Sequence, residues 1–408
     1  MTLYEELKWR GLIKDVTSPE LENKLNNEKL TFYIGTDPTA DSMHIGHYSS
    51  FLIAKRLAKA GHKPLLLIGG ATGRIGDPRP TTEREMKSIE EIEKNTKNLK
   101  KQAEEIFGFE VVDNYDWIKN INIIEFLRDY GKYFNINYML DKDIIRRRLE
   151  TGITFTEFSY MLLQSLDFLH LHETRGVNLQ VAGSDQWGNI TSGVDLIRKK
   201  LGDEVYAFTM PLILDQNGKK FGKSEGNALW LDKNKTSSYE LYQYLINTDD
   251  SMIESYLKVF TFLSPEEIMD IVSKHNNEPH LRLGQKTLAK EIITDLHGKE
   301  EYEKAVKISE NLFSGNIKEI NVHDLMIGLK DVPHFILKDE SLLDLLVNNN
   351  ICSSKREARE FLGNNAISVN GEIVNDENMF IDKTKTIEGK IVVIRRGKKK
   401  YYVGLVEE

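Results

Sequence analysis

Two hydrophobic periods alternate along the first half of the chain. Short apolar runs at 30–35, 64–69, 177–182 and 211–214 predict buried strands. Between them, apolar positions recur at helical spacing over 45–60, 82–106, 121–134, 155–172 and 186–201. Short strands alternating with amphipathic helices predict an α/β fold, a Rossmann-like doubly wound parallel sheet covered on both faces. Ligands of such sheets bind beyond the carboxyl ends of the strands. The pattern then changes. From about 237 to 313 strand signals vanish and residues such as Leu241, Tyr244 and Leu245 recur at helical spacing. The expected organisation is therefore an α/β domain over 1–232, an all-helical domain over 233–313, a linker over 314–340 and a small α+β domain over 341–408. In the last of these, Ser354 caps a helix opening with Lys355 and Arg356, and strands follow at 367–369, 391–394 and 401–405.

Composition narrows the function classes. The single cysteine, Cys352, excludes an internal disulfide and a cysteine-built zinc site. The first residues lack the apolar core of a signal peptide, and no apolar stretch approaches the roughly 20 residues of a membrane span. A cytoplasmic, soluble protein is expected. A net charge of −8 argues against a protein that coats nucleic acid with its whole surface. From Ile351 onward, however, 11 Lys/Arg stand against 9 Asp/Glu, so any RNA partner would meet patches.

Candidate chemistry sits in two distant motifs. His44-Ile45-Gly46-His47 follows a predicted strand, and Lys220-Phe221-Gly222-Lys223-Ser224 lies in a polar loop. Histidines three apart at a helix start share a face with the free amides that favour phosphate. Gly46 leaves bare backbone for a flat base. Lys220 and Lys223 can meet phosphates as point charges, with Ser224 adding a hydroxyl donor. Each motif has a bland reading, a helix start that happens to carry histidines and a solvated turn. Their pairing favours a triphosphate site without metal ligands or a covalent nucleophile. On the helix 155–172, Tyr160, Gln164 and Asp167 form one polar stripe on an otherwise apolar element, which points to a pocket that Tyr33 and Asp37 would also face.

These motifs resemble the HIGH and KMSKS elements of class I aminoacyl-tRNA synthetases. Tyr33-Ile34-Gly35-Thr36-Asp37-Pro38-Thr39, Gly69-Gly70-Ala71-Thr72-Gly73, Ile75-Gly76-Asp77-Pro78, Phe155-Thr156-Glu157-Phe158-Ser159-Tyr160 and Gly183-Ser184-Asp185-Gln186-Trp187-Gly188-Asn189 are similar to the bacterial-type tyrosyl-tRNA synthetase family. The resemblance runs over essentially the whole chain. It implies a tyrosine–tRNA ligase using ATP with substrate-borne Mg²⁺, acting as a homodimer on tRNA(Tyr) with Phe155 near the two-fold axis. It also implies site roles. Tyr33 and Asp167 would hold the substrate phenol; Asp77, Tyr160 and Gln164 its ammonium; Gln186 would lie near its carboxylate. The Asp37 backbone would face the α-phosphate, and Thr39 and His44 the pyrophosphate. Gly183, Asp185, His47 and Ser50 would meet the ribose. The 341–408 domain resembles the RNA-binding domain of ribosomal protein S-four, with Lys355, Arg356, Arg359 and Lys398 on RNA. The helical domain would approach the anticodon. Lys142, Arg146, Arg147, Arg148, Arg198, Lys199 and Lys200 are acceptor-stem candidates, against the bland reading of a solvated charge run. One departure concerns the loop after Asp77-Pro78, where the family often carries a lysine and Arg79 or Arg84 stands as a candidate replacement. A phenol-reading polar pair is left unpaired by phenylalanine, so no editing domain is expected. The tryptophanyl sister enzyme and a catalytically silent RNA-binding relative are the alternatives. Tyr33 with Asp167 speaks against the first and the intact motifs against the second.

Overall fold

The structure is a computed structural model that describes residues 1–79, 82, 85–224, 227–397 and 400–407. The side chains of Lys223, Ser224 and Asn227 also lie outside the description. Six strands form the main sheet: β1 (Asp15–Val16), β2 (Thr31–Thr36), β3 (Lys63–Ile68), β4 (Glu110–Asp113), β5 (Val177–Gly183) and β6 (Tyr206–Met210). Their spatial order is β1-β6-β5-β2-β3-β4. All neighbours are parallel except β1, which pairs antiparallel with β6. The chain winds from β2 through β3 to β4, then crosses back to lay β5 on the other flank of β2. The winding direction therefore reverses between β2 and β5, and the crevice at their carboxyl ends is the natural ligand site. Phe32, Tyr33 and Ile34 are buried in succession, as expected of a strand covered on both faces.

The helices Ile45–Lys59, Phe155–Arg175 and Trp187–Leu201 lie close to their expected bounds. Other expectations need correction. The strand expected at 211–214 lies earlier, as β6, because Pro211 has no N–H to continue a ladder. Leu212 and Leu214 are accordingly exposed. The helix expected from 82 starts at Ile89, where Ser88 caps it by accepting from the Glu91 amide. The 121–134 stretch breaks into short turns, Ile123–Glu125, Phe126–Tyr130 and Gly131–Tyr133.

Residue contacts divide the chain into two compact units, 1–236 with 248–292, and 237–247 with 293–408. The expected helical domain over 233–313 is thus shared out. The helix Ile253–Phe260 belongs to the first unit, where Phe260 stacks on Tyr48 of the histidine helix. The stretch 314–340 is no linker. It holds the helix Val322–Gly328 and the strand His334–Ile336, and buries Ile317, Ile320, Leu325 and Leu329 with Val393 and Val403. Its apolar residues are spaced too irregularly to show a period.

The second unit contains a five-stranded sheet in the order Glu372–Ile373, Ile367–Val369, Ile391–Arg396, Lys400–Leu405, His334–Ile336. Leu342–Asn348 and Lys355–Gly363 supply the helical side of a core built on Leu345, Ala358, Leu362, Val392 and Ile394. The hairpin between its first two strands turns on Asn370-Gly371, with φ of 50° and 88°, as a two-residue loop of positive-φ residues requires. Among the described residues, no helix is long and apolar enough to cross a membrane.

A Cβ on Gly371 would stand 2.2 Å from the Gly315 carbonyl oxygen. Gly371→Ala is expected to destabilise the protein by about 2 kcal/mol or more, readable as a lowered denaturant midpoint. An unchanged midpoint would contradict the turn.

Candidate active site

A cleft of about 410 Å³ opens at the switch point between β2 and β5. Tyr33, Asp37, Thr39, His44, Gly46, His47, Ser50, Asp77, Tyr160, Gln164, Asp167, Gly183, Asp185, Gln186 and Lys220 all line it. Strand ends and helix starts from five stretches of sequence therefore meet in one place.

At the end of the cleft beside the lysine loop, His44 is the N-cap of the histidine helix. Its Nδ1 accepts from the Gly46 amide at 3.1 Å, and the His44 amide donates to His47 Nδ1 at 3.1 Å. The two imidazoles thus form a reciprocal capping pair, with ring centroids 4.0 Å apart. With Nδ1 accepting in both rings, the bonding pattern assigns the neutral-state proton to Nε2. Burial, followed by the neighbouring His44, lowers the pKa of His47 to about 3. His47 is therefore neutral at physiological pH, a hydrogen-bond donor and not a cation. A Cβ on Gly46 would lie 2.8 Å from the His44 ring, so the closeness of this pair requires glycine.

The lysine loop is bound to this helix start through backbone. The Ile45 amide donates to the Leu229 carbonyl and the Leu231 amide to the Met43 carbonyl, each at 2.8 Å. Trp230, between them, sets its ring edge against His44 at 6.4 Å. Gly222, at φ 82°, leaves no room for a side chain, since a Cβ would fall 1.8 Å from Ile45 Cγ2. Phe221 is buried against Tyr256 and Phe260, with ring centroids 4.7 Å away in both cases. Lys220 is exposed at the cleft.

At the other end is a chain of buried and part-buried polar groups. Asp167 Oδ2 accepts from Asn114 Nδ2 and Oδ1 from Trp117 Nε1, both at 3.0 Å. Asn114 also donates to Thr72 Oγ1 at 3.0 Å; Thr72 donates to Asp37 Oδ1 at 2.7 Å, and the Tyr160 hydroxyl to Asp37 Oδ2 at 2.8 Å. Burial raises Asp167 to about 8, against the two donors that favour its charged form. Burial also raises Tyr33 and Tyr160 well above the ordinary phenol value, with Asp167 and Asp37 respectively adding to the rise. Tyr33 is 1% exposed, and its hydroxyl has no hydrogen-bond partner. Beside the chain, Asp77 accepts from Gln186 Nε2 at 2.8 Å and from Asn189 Nδ2 at 3.1 Å.

Sequence reasoning missed Asn114, Trp117, Thr72, Asn189 and Trp230. Asn114 and Trp117 follow β4, a half-buried edge strand without an apolar run to announce it. Thr72 and Asn189 lie in motifs quoted above, but nothing in those motifs assigns them a role.

The RNA candidates are spread out. Arg146 and Arg198 are exposed and paired with Asp143 at 3.2 Å and Asp195 at 2.5 Å. Lys142 donates to Thr191 at 2.9 Å beneath the Tyr138 ring. In the second unit, Lys355 pairs with Asp344 at 2.6 Å and Arg359 with Glu377 at 2.5 Å, while Arg356 is exposed. Arg148 is a correction: it is buried against Glu157 and unavailable to RNA. Lys398 and Arg84 lie outside the described residues, as do the side chains of Lys223 and Ser224.

The family model for tRNA synthetases class I (W and Y) matches residues 25–314, and that for the tyrosine--tRNA ligase SYY-like C-terminal domain matches 324–404. A tyrosine--tRNA ligase of Listeria monocytogenes is 49% identical over 415 residues, covering 99% of each chain. That of Macrococcus caseolyticus is 50% identical over 410 residues, covering 98% of each. Among solved structures, a C-terminally truncated mitochondrial tyrosyl-tRNA synthetase of Aspergillus nidulans matches at TM-score 0.67 and 34% identity, covering 76% of this chain and 94% of that one. A fold wound about this switch point, with paired histidines facing a lysine loop, is that of the class I tRNA synthetases. The chain belongs to the bacterial-type tyrosyl-tRNA synthetase family within that class.

Two outcomes test this geometry. Gly222→Ala forces the lysine loop away from Ile45, so adenylate formation should slow by about tenfold or more while tyrosine binding stays near wild type. Equal losses in both would contradict the clamp. The second concerns pH. An acid whose folded pKa exceeds its unfolded value binds more protons when folded, so its contribution to stability falls as pH rises between the two. Asp167, at about 8 when folded, should therefore erode stability from about pH 4 to about pH 8. Asp167→Asn should flatten that part of the stability curve; an unchanged slope would contradict the burial of this carboxyl.

Proposed function

We propose that this cleft performs tyrosine–tRNA ligation through the following division of roles. Family membership makes the chain an ATP-dependent, AMP-forming ligase of tyrosine and tRNA. In the first step, a tyrosine carboxylate oxygen attacks the α-phosphorus of ATP, the bond to the β-phosphate oxygen breaks, and pyrophosphate leaves. In the second, a ribose hydroxyl at the 3′ end of tRNA(Tyr) attacks the tyrosyl carbonyl and AMP leaves. Neither step needs a covalent nucleophile from the protein; positioning and charge stabilisation carry the catalysis.

Tyr33 and Asp167 hold the phenol, and Asp77, Tyr160 and Gln164 the ammonium. Gln186 stands by the carboxylate while donating to Asp77. The Asp37 backbone faces the α-phosphate, its carboxylate being occupied by Thr72 and Tyr160. Thr39 and His44 meet the departing pyrophosphate, with Lys220, Lys223 and Ser224 closing from the loop. Gly46, His47, Ser50, Gly183 and Asp185 receive the nucleoside. Mg²⁺ enters as part of the MgATP substrate. The observation that carries the tyrosine assignment is the Tyr33 hydroxyl, buried without a partner close to the doubly bonded Asp167. A phenol is both donor and acceptor and can satisfy that pair, whereas an indole offers one donor and no acceptor.

The helices of 233–313 approach the anticodon in this reading, and 341–408 supplies the RNA surface through Lys355, Arg356, Arg359 and Lys398. The reaction takes place in the cytoplasm, where tRNA is met. The active form is a homodimer. Ile123, Ile124, Leu127, Ile136, Leu149 and Phe155 are all at least half exposed, an apolar concentration that a second copy of the chain would cover.

Asp167→Ala should cost about 3 kcal/mol of transition-state binding, on the order of a hundredfold in kcat/KM for tyrosine, in an ATP–pyrophosphate exchange assay. A near-wild-type rate would remove Asp167 from the pocket. Phe155→Asp places a charge in the proposed interface and should shift the sedimenting species from dimer to monomer. A dimer of unchanged stability would move the interface elsewhere.

A further inference from the structure

The helix Phe155–Arg175 opens with Thr154 at its N-cap and Glu157 three residues on, a spacing that lets a glutamate turn back on the cap. Glu157 is used differently. Thr154 Oγ1 accepts from the Glu157 amide at 3.3 Å, while the Glu157 carboxylate meets Arg148 through Nη2 at 2.8 Å and Nη1 at 3.3 Å. Both side chains are at least nine-tenths buried. Desolvation offsets much of the attraction within such a pair, so stability alone is a weak account of it. The remaining Arg148 donors go to backbone, Nε to the Gly152 carbonyl at 3.1 Å and Nη1 to the Arg79 carbonyl at 2.9 Å.

Arg79 is two residues beyond Asp77, and Asp77, Pro78 and Arg79 lie in no helix or strand. A carboxylate that must hold an ammonium in one place thus stands on irregular backbone. We infer that Arg148 is a positioning residue for Asp77: its guanidinium, oriented by Glu157, fixes the Arg79 carbonyl and so the short segment carrying the Asp77 carboxylate. The planar fork of arginine reaches the carboxylate, Gly152 and Arg79 together, and the single ammonium of lysine does not reproduce that geometry. The inference rests on the reading of Asp77 as the seat of the substrate ammonium.

The test compares two ligands that differ only in that ammonium, L-tyrosine and its desamino analogue 3-(4-hydroxyphenyl)propionate. Their dissociation constants are measured on the full chain for wild type, Asp77→Asn, Arg148→Lys and the double variant Arg148→Met with Glu157→Gln. The double variant leaves no uncompensated buried charge, which protects its folding; circular dichroism checks that. Asp77→Asn and both Arg148 variants should weaken tyrosine relative to the analogue by about tenfold or more, with the KM for ATP within about twofold of wild type. If Asp77→Asn weakens both ligands alike, the ammonium reading fails and this inference falls with it. If Asp77→Asn discriminates while the Arg148 variants change both ligands equally, or neither, Arg148 has a structural role only and the inference is overturned.

Discussion

The histidine motif and the lysine loop come from distant parts of the chain, and the fold must bring them to one cleft. It does so with peptide groups. Ile45 donates to Leu229 and Leu231 to Met43, so the start of the histidine helix and the segment behind the lysine loop are paired like neighbouring strands. Two further contacts depend on that pairing. Trp230 can reach His44 only from there, and Gly222 can lie against Ile45 only without a side chain. Phe221 then fixes the root of the loop by burying itself between Tyr256 and Phe260, and Phe260 returns to the histidine helix through Tyr48. Because the connection is made in backbone and packed rings, it leaves Lys220 exposed at the cleft.

The other end of the cleft relies on the opposite device, a chain of buried and part-buried polar side chains. Trp117, Asp167, Asn114, Thr72, Asp37 and Tyr160 bond in succession. In a low-dielectric interior such a network is worth holding only if its members are satisfied. The Tyr33 hydroxyl, buried without a partner, sits where the proposed substrate would complete it. Specificity of this kind arises from the penalty of leaving buried groups unpaired and requires no second site for correction. The histidines follow the same economy. Each spends Nδ1 on a backbone amide, which fixes the orientation of both rings.

Much of this was legible in the sequence, and the gaps have physical causes. Three of the six sheet strands announce themselves by apolar runs, and the helices Ile45–Lys59, Phe155–Arg175 and Trp187–Leu201 by period. Only Pro211 displaced a strand, by ending it early. Every residue expected around a tyrosine substrate lines the cleft, because such motifs set residues at strand ends where the topology delivers them together. Asn114 and Trp117 were not legible: they sit past a half-buried edge strand, and their task is to hold another side chain. Arg148 was misread for a related reason. In sequence it is one of three consecutive arginines, and only the fold separates the buried one from its exposed neighbours Arg146 and Arg147. The segment 314–340 misled because its apolar residues are buried by a sheet that closes with the final strand of the chain.

The central claim is that one cleft activates tyrosine by reading its hydroxyl. The most direct measurement is ATP–pyrophosphate exchange without tRNA, run in parallel with tyrosine, tryptophan and phenylalanine. The account predicts exchange with tyrosine and background rates with the other two. Comparable exchange with phenylalanine or tryptophan would contradict the role of Tyr33 and Asp167, and no exchange with any of the three would contradict the catalytic reading of the paired motifs.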